Sequence, residues 1–475
     1  MKFAKNFQVL TEDEMYLLHM RIMEVLDKIG IAVEEEQSLQ LLEKCGARVD
    51  YEQKRAYMPP NMVKHALETK QDSWMMYDSE LNRCFPMGGD QTSYAPLGYS
   101  TTYVETDGTV HDGTYDALLR ESKLVEAIPE LDCMHPSIQP TDKDPEEQDL
   151  YMLKAMLVGT KKPIHCVANS EKNAEAFAMM HAEMVGGLDV LRDKPRHMFN
   201  LCTFSPLGIR RDCCEVIRVA AKYNIPCMFS TGTMAGATAP VTLAGSMIES
   251  MAEVLGHIVL AQCYRPGLAC GMLHASRIFD MKYAACTVAT PEYFIMKVAA
   301  CQLANDIYKI PTSAIALCAD SNDYDVQYGW EKFATSFIPR MTKMHMIFGA
   351  GMYSQLNQFG FTSLALDAEI IRVEDRIRRG MEVNEDTVKF ELLEREYKNA
   401  GFIYDRSTTR GWKDEFMVPI LSDRAPYGKF MKREGKDSLV DRANAQLEKY
   451  EQDYSYTKGF EHEDELQKII DEYTK

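Results

Sequence analysis

The sequence predicts an α/β protein, a TIM (β/α)8 barrel with a helical N-terminal cap and a C-terminal helical extension. Three observations lead there. Through the middle of the chain, short apolar runs alternate with helical patterns roughly 12 to 25 residues long. A repeated βα rhythm demands a parallel sheet covered on both faces, and eight such units favour a closed barrel over an open sheet. The 475 residues, 46% hydrophobic and 26% charged, have a globular balance but exceed one compact domain. A core of about 250 to 300 residues with additions at both ends is the natural division. The boundaries are read as 1–85 for the cap, 86–385 for the barrel and 386–475 for the extension. Neither GxGxxG nor GxxxxGK[ST] occurs where a strand meets a helix, so dinucleotide and P-loop readings lose ground.

In the cap, Thr11 and Glu14 form a capping box, and Leu17, Leu18, Ile22, Val25 and Leu26 follow at helical spacing until Gly30 stops the helix. A second helix spans Glu36 to Lys44, a hairpin covers Arg48 to Met58, and a third helix opens at Pro60. Strands are expected at Tyr94 to Val104, Leu131 to Ile138, Pro163 to Val167, His197 to Phe204, Pro226 to Ser230, Pro266 to Met272 and Pro311 to Ala319, with an eighth near Leu364. Between them, helices are expected at Gln148 to Val158, Glu171 to Val185, Arg210 to Tyr223, Thr242 to Tyr264, Tyr293 to Lys309 and Ile338 to His345.

Catalytic groups of α/β barrels sit on loops that follow the strands. The richest such stretch runs from Lys309 to Glu331, where an apolar strand empties into Asp320, Ser321, Asn322, Asp323, Tyr324, Asp325, Gln327, Tyr328 and Trp330. TGTMAGATAPVTLAG follows Ser230, and its small residues let backbone approach a bulky ligand. Phe204 follows Cys202, while His274, Arg277 and Asp280 follow Met272. The first strand supplies Tyr94, Tyr99 and Tyr103. No GxSxG, HExxH or Walker signature is present, so the mouth is rich in rings and poor in nucleophile–base pairs. Rings bind quaternary ammonium ions well, at about 0.5 to 2 kcal/mol per ring.

A net charge of −18 argues against nucleic acid or an anionic membrane as partner. Thirteen cysteines without a CxxC, most of them in apolar runs, suit buried thiols in a reducing compartment. With no signal-like N-terminus and no apolar run approaching 18 residues, a cytoplasmic location is expected.

Several segments, in order, resemble the trimethylamine methyltransferase family, in its branch that lacks pyrrolysine and acts on quaternary amines such as glycine betaine. They are LTEDEMYLLHMRIMEVLDKIGIAVEEEQSLQLLEKCGARVD near the N-terminus, YMPPNMV, MAGATAPVTLAG at Met234 to Gly245, TPEY at Thr290 to Tyr293, FGAGM at Phe348 to Met352 and LALDAEIIRVEDRIRRGMEV at Leu364 to Val383. The resemblance implies a barrel enzyme that passes a methyl group from a quaternary amine to the Co(I) corrinoid of a partner corrinoid protein. It implies no cofactor bound by the chain itself, and homo-oligomers are expected. Substrate-binding residues are then expected at Tyr94 and Tyr99, with Phe204, Phe348 and Phe359 as further cage rings. His345 is expected to hold a substrate carboxylate, with Arg277 as the second choice, and Asp320 and Gln327 to shape the pocket floor. No acid, base or metal of the chain's own is expected, because a quaternary nitrogen leaves as a neutral amine without needing a proton. One departure stands out: where many members have a histidine-bearing segment ahead of Thr-Arg, this chain reads FIYDRSTTRGW at Phe402 to Trp412. Two alternatives are a zinc-dependent barrel methyltransferase for methanol or thiols, drawing on His165 with Cys166 or His274 with Cys270, and a non-enzymatic betaine binder.

Overall fold

Eight parallel staves close on themselves in a computed structural model that describes residues 7–398, 401–433, 435 and 437–474. In chain order they are β1 (Ser93–Pro96), β2 (residues 132–134), β3 (Ile164–Cys166), β4 (His197–Cys202), β5 (Cys227–Ser230), β6 (Cys270–His274), β7 (Thr312–Ile315) and β8 (Met346–Ala350). Seven of them form one sheet in which each pairs with its sequence neighbour and β8 pairs with β1. The gap between β1 and β3 is filled by β2, which is too short for a regular strand. Asp132 donates its N–H to the Tyr94 carbonyl (2.8 Å), Met134 donates to Pro163 (2.8 Å), and His165 donates to Met134 (2.9 Å). The ring is therefore a closed (β/α)8 barrel, with no open sheet edge left to pair.

Strand alternation separates two apolar cores. Ala95, Cys133, Met198, Met228, Leu273, Ile315, Met346 and Phe348 point inward as one cluster, and the larger cluster lies between the staves and the outer helices. The N-terminal end of the barrel is plugged by a ribbon, Trp74–Tyr77 with Arg83–Met87, whose Trp74, Met76, Phe85 and Met87 join the interior cluster. Only the C-terminal end is left for a site.

The cap follows expectation closely. Thr11 and Glu14 cap the helix Glu12–Glu24, which runs through the π-helical turn Val25–Ile29 and stops at Gly30. At Gly30, φ is +73° and a Cβ would sit 2.5 Å from the Ala56 carbonyl oxygen, so only glycine fits. Helices Glu36–Lys44 and Pro60–Thr69 and the hairpin Arg48–Asp50/Arg55–Tyr57 form where expected.

Three elements differ. The eighth strand is Met346–Ala350, whereas Leu364 lies in the helix Phe361–Arg379. Two glycines in FGAGM disguise the strand. At Gly349, φ is +129° and a Cβ would lie 2.0 Å from the Ala316 carbonyl, so a close approach of β7 requires the residue that weakens the strand pattern. The helix expected at Ile338 to His345 spans Val326–Arg340, begun by the Asp325 carboxylate accepting from Tyr328 N–H (2.8 Å). The run expected as one strand from Tyr94 to Val104 breaks after Pro96, and Thr102–Val104 joins a separate small sheet over the barrel end.

The 22-residue helix Leu243–Tyr264 is long and apolar enough to cross a membrane, but most of it is buried against the cap helices and the barrel wall. Its interior carboxylate has a local task. Glu253 accepts from Thr203 Oγ1 (2.6 Å), Ser205 Oγ (3.0 Å) and Leu207 N–H (2.9 Å), bracing the loop after β4. Beyond the barrel, helix Leu439–Asp453 packs on Phe361–Arg379 and Tyr115–Ala127, and helix Glu463–Thr474 packs on Glu171–Val185.

Candidate active site

At the open end of the barrel, parallel pairing fixes which side chains share the lumen. His165 on β3 is level with the inward-facing Met198, and Asn200 stands two residues further along β4 beside Met228. Cys202 is level with Ser230. His135, just past β2, turns its ring to His165 (centroids 5.1 Å) and to Phe348 on β8 (5.9 Å), and His165 packs 4.7 Å from Phe348. Tyr99 closes over them, edge-on to His135 at 5.0 Å. Val167 N–H donates to the Tyr99 hydroxyl (3.2 Å), which fixes that ring against β3.

This wall is aromatic and uncharged. Burial pushes His135 down to about 3 and His165 well below its ordinary range, so both imidazoles are neutral at pH 7. Both ring nitrogens of His165, Nε2 of His135 and Oδ1 of Asn200 are buried without a hydrogen-bond partner among the described residues. Buried polar atoms are rarely left unpaired, and when several are so in one lumen they mark where a ligand or water belongs. Beneath the loop after β2, Glu121 accepts from Ser137 N–H (3.1 Å) and Ile138 N–H (3.3 Å), holding the turn that aims His135.

The rim carries a guanidinium. Arg277 follows β6 and is half-buried, close enough for its charge to act on the Cys202 thiol, the Tyr293 phenol and the Lys297 amine. Among the described residues its guanidinium has neither an ion-pair nor a hydrogen-bond partner. Behind it, fully buried Lys297 donates to the carbonyls of His274 (2.5 Å) and Ser276 (3.2 Å) and so fixes the end of β6. Around the opening, Phe204, Val241, Met281 and Tyr283 from the loops after β4 to β6, and Val326 and Trp330 from the start of the helix after β7, are exposed, giving the barrel end an apolar rim.

The nine residues expected from the sequence divide accordingly. Tyr99, Phe348, Phe204 and Arg277 gather at the open end. Tyr94 does not, because β1 turns it outward, where its hydroxyl donates to Glu374 (2.5 Å) and receives from Arg340 between two outer helices. His345 lies at the opposite end of the barrel, at the entry to β8, with its Nδ1 accepting from Thr312 N–H (2.9 Å). Burial holds it down to about 4, so it is neutral and cannot offer a charge to a carboxylate. Phe359 is buried beneath the small sheet, against Gly351 and Phe361. Gln327 is exposed and donates to Glu331 (2.8 Å). Asp320 is near the open end but braces it, accepting from Val288 N–H (2.9 Å) and Ala289 N–H (3.1 Å). Sequence reasoning missed His135 and Asn200, although a polar residue ending an apolar strand was the available signal. No three His, Cys, Asp or Glu side chains gather to hold a metal among the described residues. His165 and Cys166 lie on opposite faces of β3, and Cys270 and His274 stand at the two ends of β6, about 13 Å apart, so neither pair that the zinc reading drew on comes together.

The family model described as "Trimethylamine methyltransferase (MTTB)" matches residues 2–473, nearly the whole chain. The chain belongs to the trimethylamine methyltransferase family. Within it, a trimethylamine methyltransferase MttB of Methanosarcina thermophila is 27% identical over 438 residues, 91% of this chain and 90% of that one. The glycine betaine methyltransferase of Desulfitobacterium hafniense (strain Y51) is 26% identical over 430 residues, 90% and 89% of the two chains. Among solved structures, the Methanosarcina barkeri monomethylamine methyltransferase (MtmB) is similar with a TM-score of 0.47 and 11% identity, covering 97% of this chain and 93% of that one. Trimethylamine methyltransferase family members of two named specificities are thus about equally distant in sequence, and the residues of the mouth must separate them.

Proposed function

We propose that the protein transfers a methyl group from a zwitterionic quaternary amine of the betaine type to the Co(I) corrinoid of a separate corrinoid protein, in the cytoplasm. The observation that carries this reading is the pairing of an uncharged aromatic lumen with one unpartnered guanidinium at its rim. A betaine has a fixed cation at one end and a carboxylate at the other, and the two halves of the site match them.

The chain's part is binding and aim. The trimethylammonium head rests on the side of the packed Tyr99, Phe348, His135 and His165 cluster that faces the opening, at about 0.5 to 2 kcal/mol for each ring it meets. Neutral imidazoles suit this role because a protonated ring would repel the head. The carboxylate meets Arg277, whose planar fork donates to both oxygens. Held at both ends, the substrate presents one methyl toward the opening. A Co(I) corrinoid would supply a strong nucleophile whose electron pair forms the new bond to the methyl carbon, and the tertiary amine is displaced in line with the C–N bonding pair on its nitrogen. The leaving tertiary amine is neutral, so no proton is moved. Orientation and exclusion of water are then the main contributions to rate. The apolar rim of Phe204, Val241, Met281, Tyr283 and Trp330 gives the corrinoid protein a surface to dock on at the same end.

The test is methylation of a Co(I) corrinoid protein by a panel of amines: glycine betaine, proline betaine, carnitine, butyrobetaine, choline and trimethylamine. Turnover of carboxylated quaternary amines above choline supports the reading. Turnover of trimethylamine alone, or binding without turnover of any member, rejects it.

A further inference from the structure

We propose that residues 381–398 and 401–433 form the interface through which two copies of this chain pair. The segment forms helices Glu385–Val388, Phe390–Glu396, Arg406–Glu415 and Tyr427–Phe430 and a 3-10 turn at Gly401–Tyr404, and none of them contains a buried residue. Helices this short are not stable in water without a packed face. Their large apolar residues point outward instead: Tyr404 is 86% exposed, Met381 81%, Ile403 67% and Phe390 64%. With Val383 and Phe416 these expose on the order of 600 Å², at the upper end of the largest apolar patch that a monomer shows and approaching the roughly 800 Å² per partner of a stable interface.

Shape, charge and place favour a second copy as the occupant. The segment holds a groove of about 760 Å³ lined by Val383, Val388, Leu392, Trp412 and Phe416. It also holds exposed knobs at Phe390 and Tyr404. Knob and hole on one patch are what a two-fold interface requires, since the same surface must meet itself. From Met381 to Arg433 there are ten acidic and ten basic side chains, so the patch is neutral on a chain of net charge −18. Two copies meeting there avoid the repulsion that their other surfaces impose.

Place argues against the corrinoid protein, and this step rests on the function proposed above. Helix Phe361–Arg379 leaves β8 at the open end and reaches the closed end, where Arg378 donates to the Asp90 carbonyl just before β1. Its 19 residues span roughly 28 Å. The segment therefore begins at the plugged end of the barrel, while a methyl acceptor must reach the mouth.

The test is the mass of the full chain by light scattering after size exclusion at micromolar concentration, for the natural protein and for the double variant Phe390→Glu/Tyr404→Glu. The natural chain is expected at twice its 54.1 kDa, and the double variant at half the natural mass. A natural chain at the mass of one copy, or a double variant of undiminished mass, overturns the proposal. A second measurement does not depend on the variant folding. Amides of residues 385–415 in the natural chain should exchange more slowly at high than at low protein concentration, and equal exchange overturns the proposal. Neither readout involves methyl transfer, so failure of the proposed reaction leaves it standing or falling on its own.

Discussion

Arg277 is the residue on which the substrate assignment turns, and replacing it with methionine removes the charge while keeping most of the volume. Its guanidinium is half-buried at the rim and has no partner of its own among the described residues. Removing it breaks no internal ion pair, and Lys297 nearby is relieved of a like charge. Stability should hold or rise slightly. The binding loss is that of a charge-assisted hydrogen bond, about 1.5 to 3 kcal/mol, with solvent at the rim favouring the lower half. That corresponds to KM for a betaine rising roughly 10- to 100-fold with kcat nearly unchanged, because the carboxylate is held equally before and during transfer. The decisive arm compares substrates. A carboxylated amine should lose this factor, whereas a quaternary amine without a carboxylate, such as choline, should change by less than about twofold. Corrinoid methylation followed spectrally over a substrate series, for both chains and both amines, measures all four values. Equal losses for the two amines, or no loss for either, would refute an anchoring role.

Other outcomes follow from the same geometry. Tyr99→Ala should lower kcat/KM by about tenfold, one ring's share near 1.4 kcal/mol, while Tyr99→Phe keeps the ring and most of the activity; equal loss in both would show that the hydroxyl matters instead. Tyr94→Phe should cost about 1 to 3 kcal/mol of stability in chemical denaturation by leaving Arg340 and Glu374 short of a partner, with KM unchanged; a raised KM would return Tyr94 to the site. Gly349→Ala should lower stability by about 2 kcal/mol or more, since both φ and the Ala316 carbonyl oppose a Cβ; an unshifted melting temperature would contradict the close approach of β7 and β8. For Glu121, burial raises the carboxyl from 4.5 to about 8. Between those values the folded chain holds a proton that the unfolded chain has lost. Its contribution is therefore favourable at low pH and falls as pH rises from 4.5 to 8, by about 1.4 kcal/mol per unit. The Glu121→Gln variant should lack that slope, and parallel stability–pH curves would show the carboxylate to be ionised in the fold.

Periodicity alone placed the cap helices, most of the barrel helices and seven of the staves close to where they form. It did so because a parallel barrel buries whole apolar runs between amphipathic helices, and that pattern is local. One stave escaped it: β8 carries the glycine that its packing against β7 demands. Aromatic enrichment at the strand ends was legible too, since residue type is read directly, and it brought Tyr99, Phe348 and Phe204 into view.

What the linear sequence could not state is direction. A shift of one residue along a strand sends a side chain from lumen to outer shell, and Tyr94 went outward for that reason. His345 lies near the Phe348 of the lumen in sequence yet at the other end of the barrel, because an apolar strand conducts the chain from one face to the other. The neutral pair His135 and His165 meets through the pairing of β2 with β3, and Phe348 joins it only when β8 closes the barrel onto β1. The composition of this chain fixed a barrel with a ring-rich mouth and a family; the closure of eight staves decided which rings face the axis, because facing depends on register and curvature that no single segment contains.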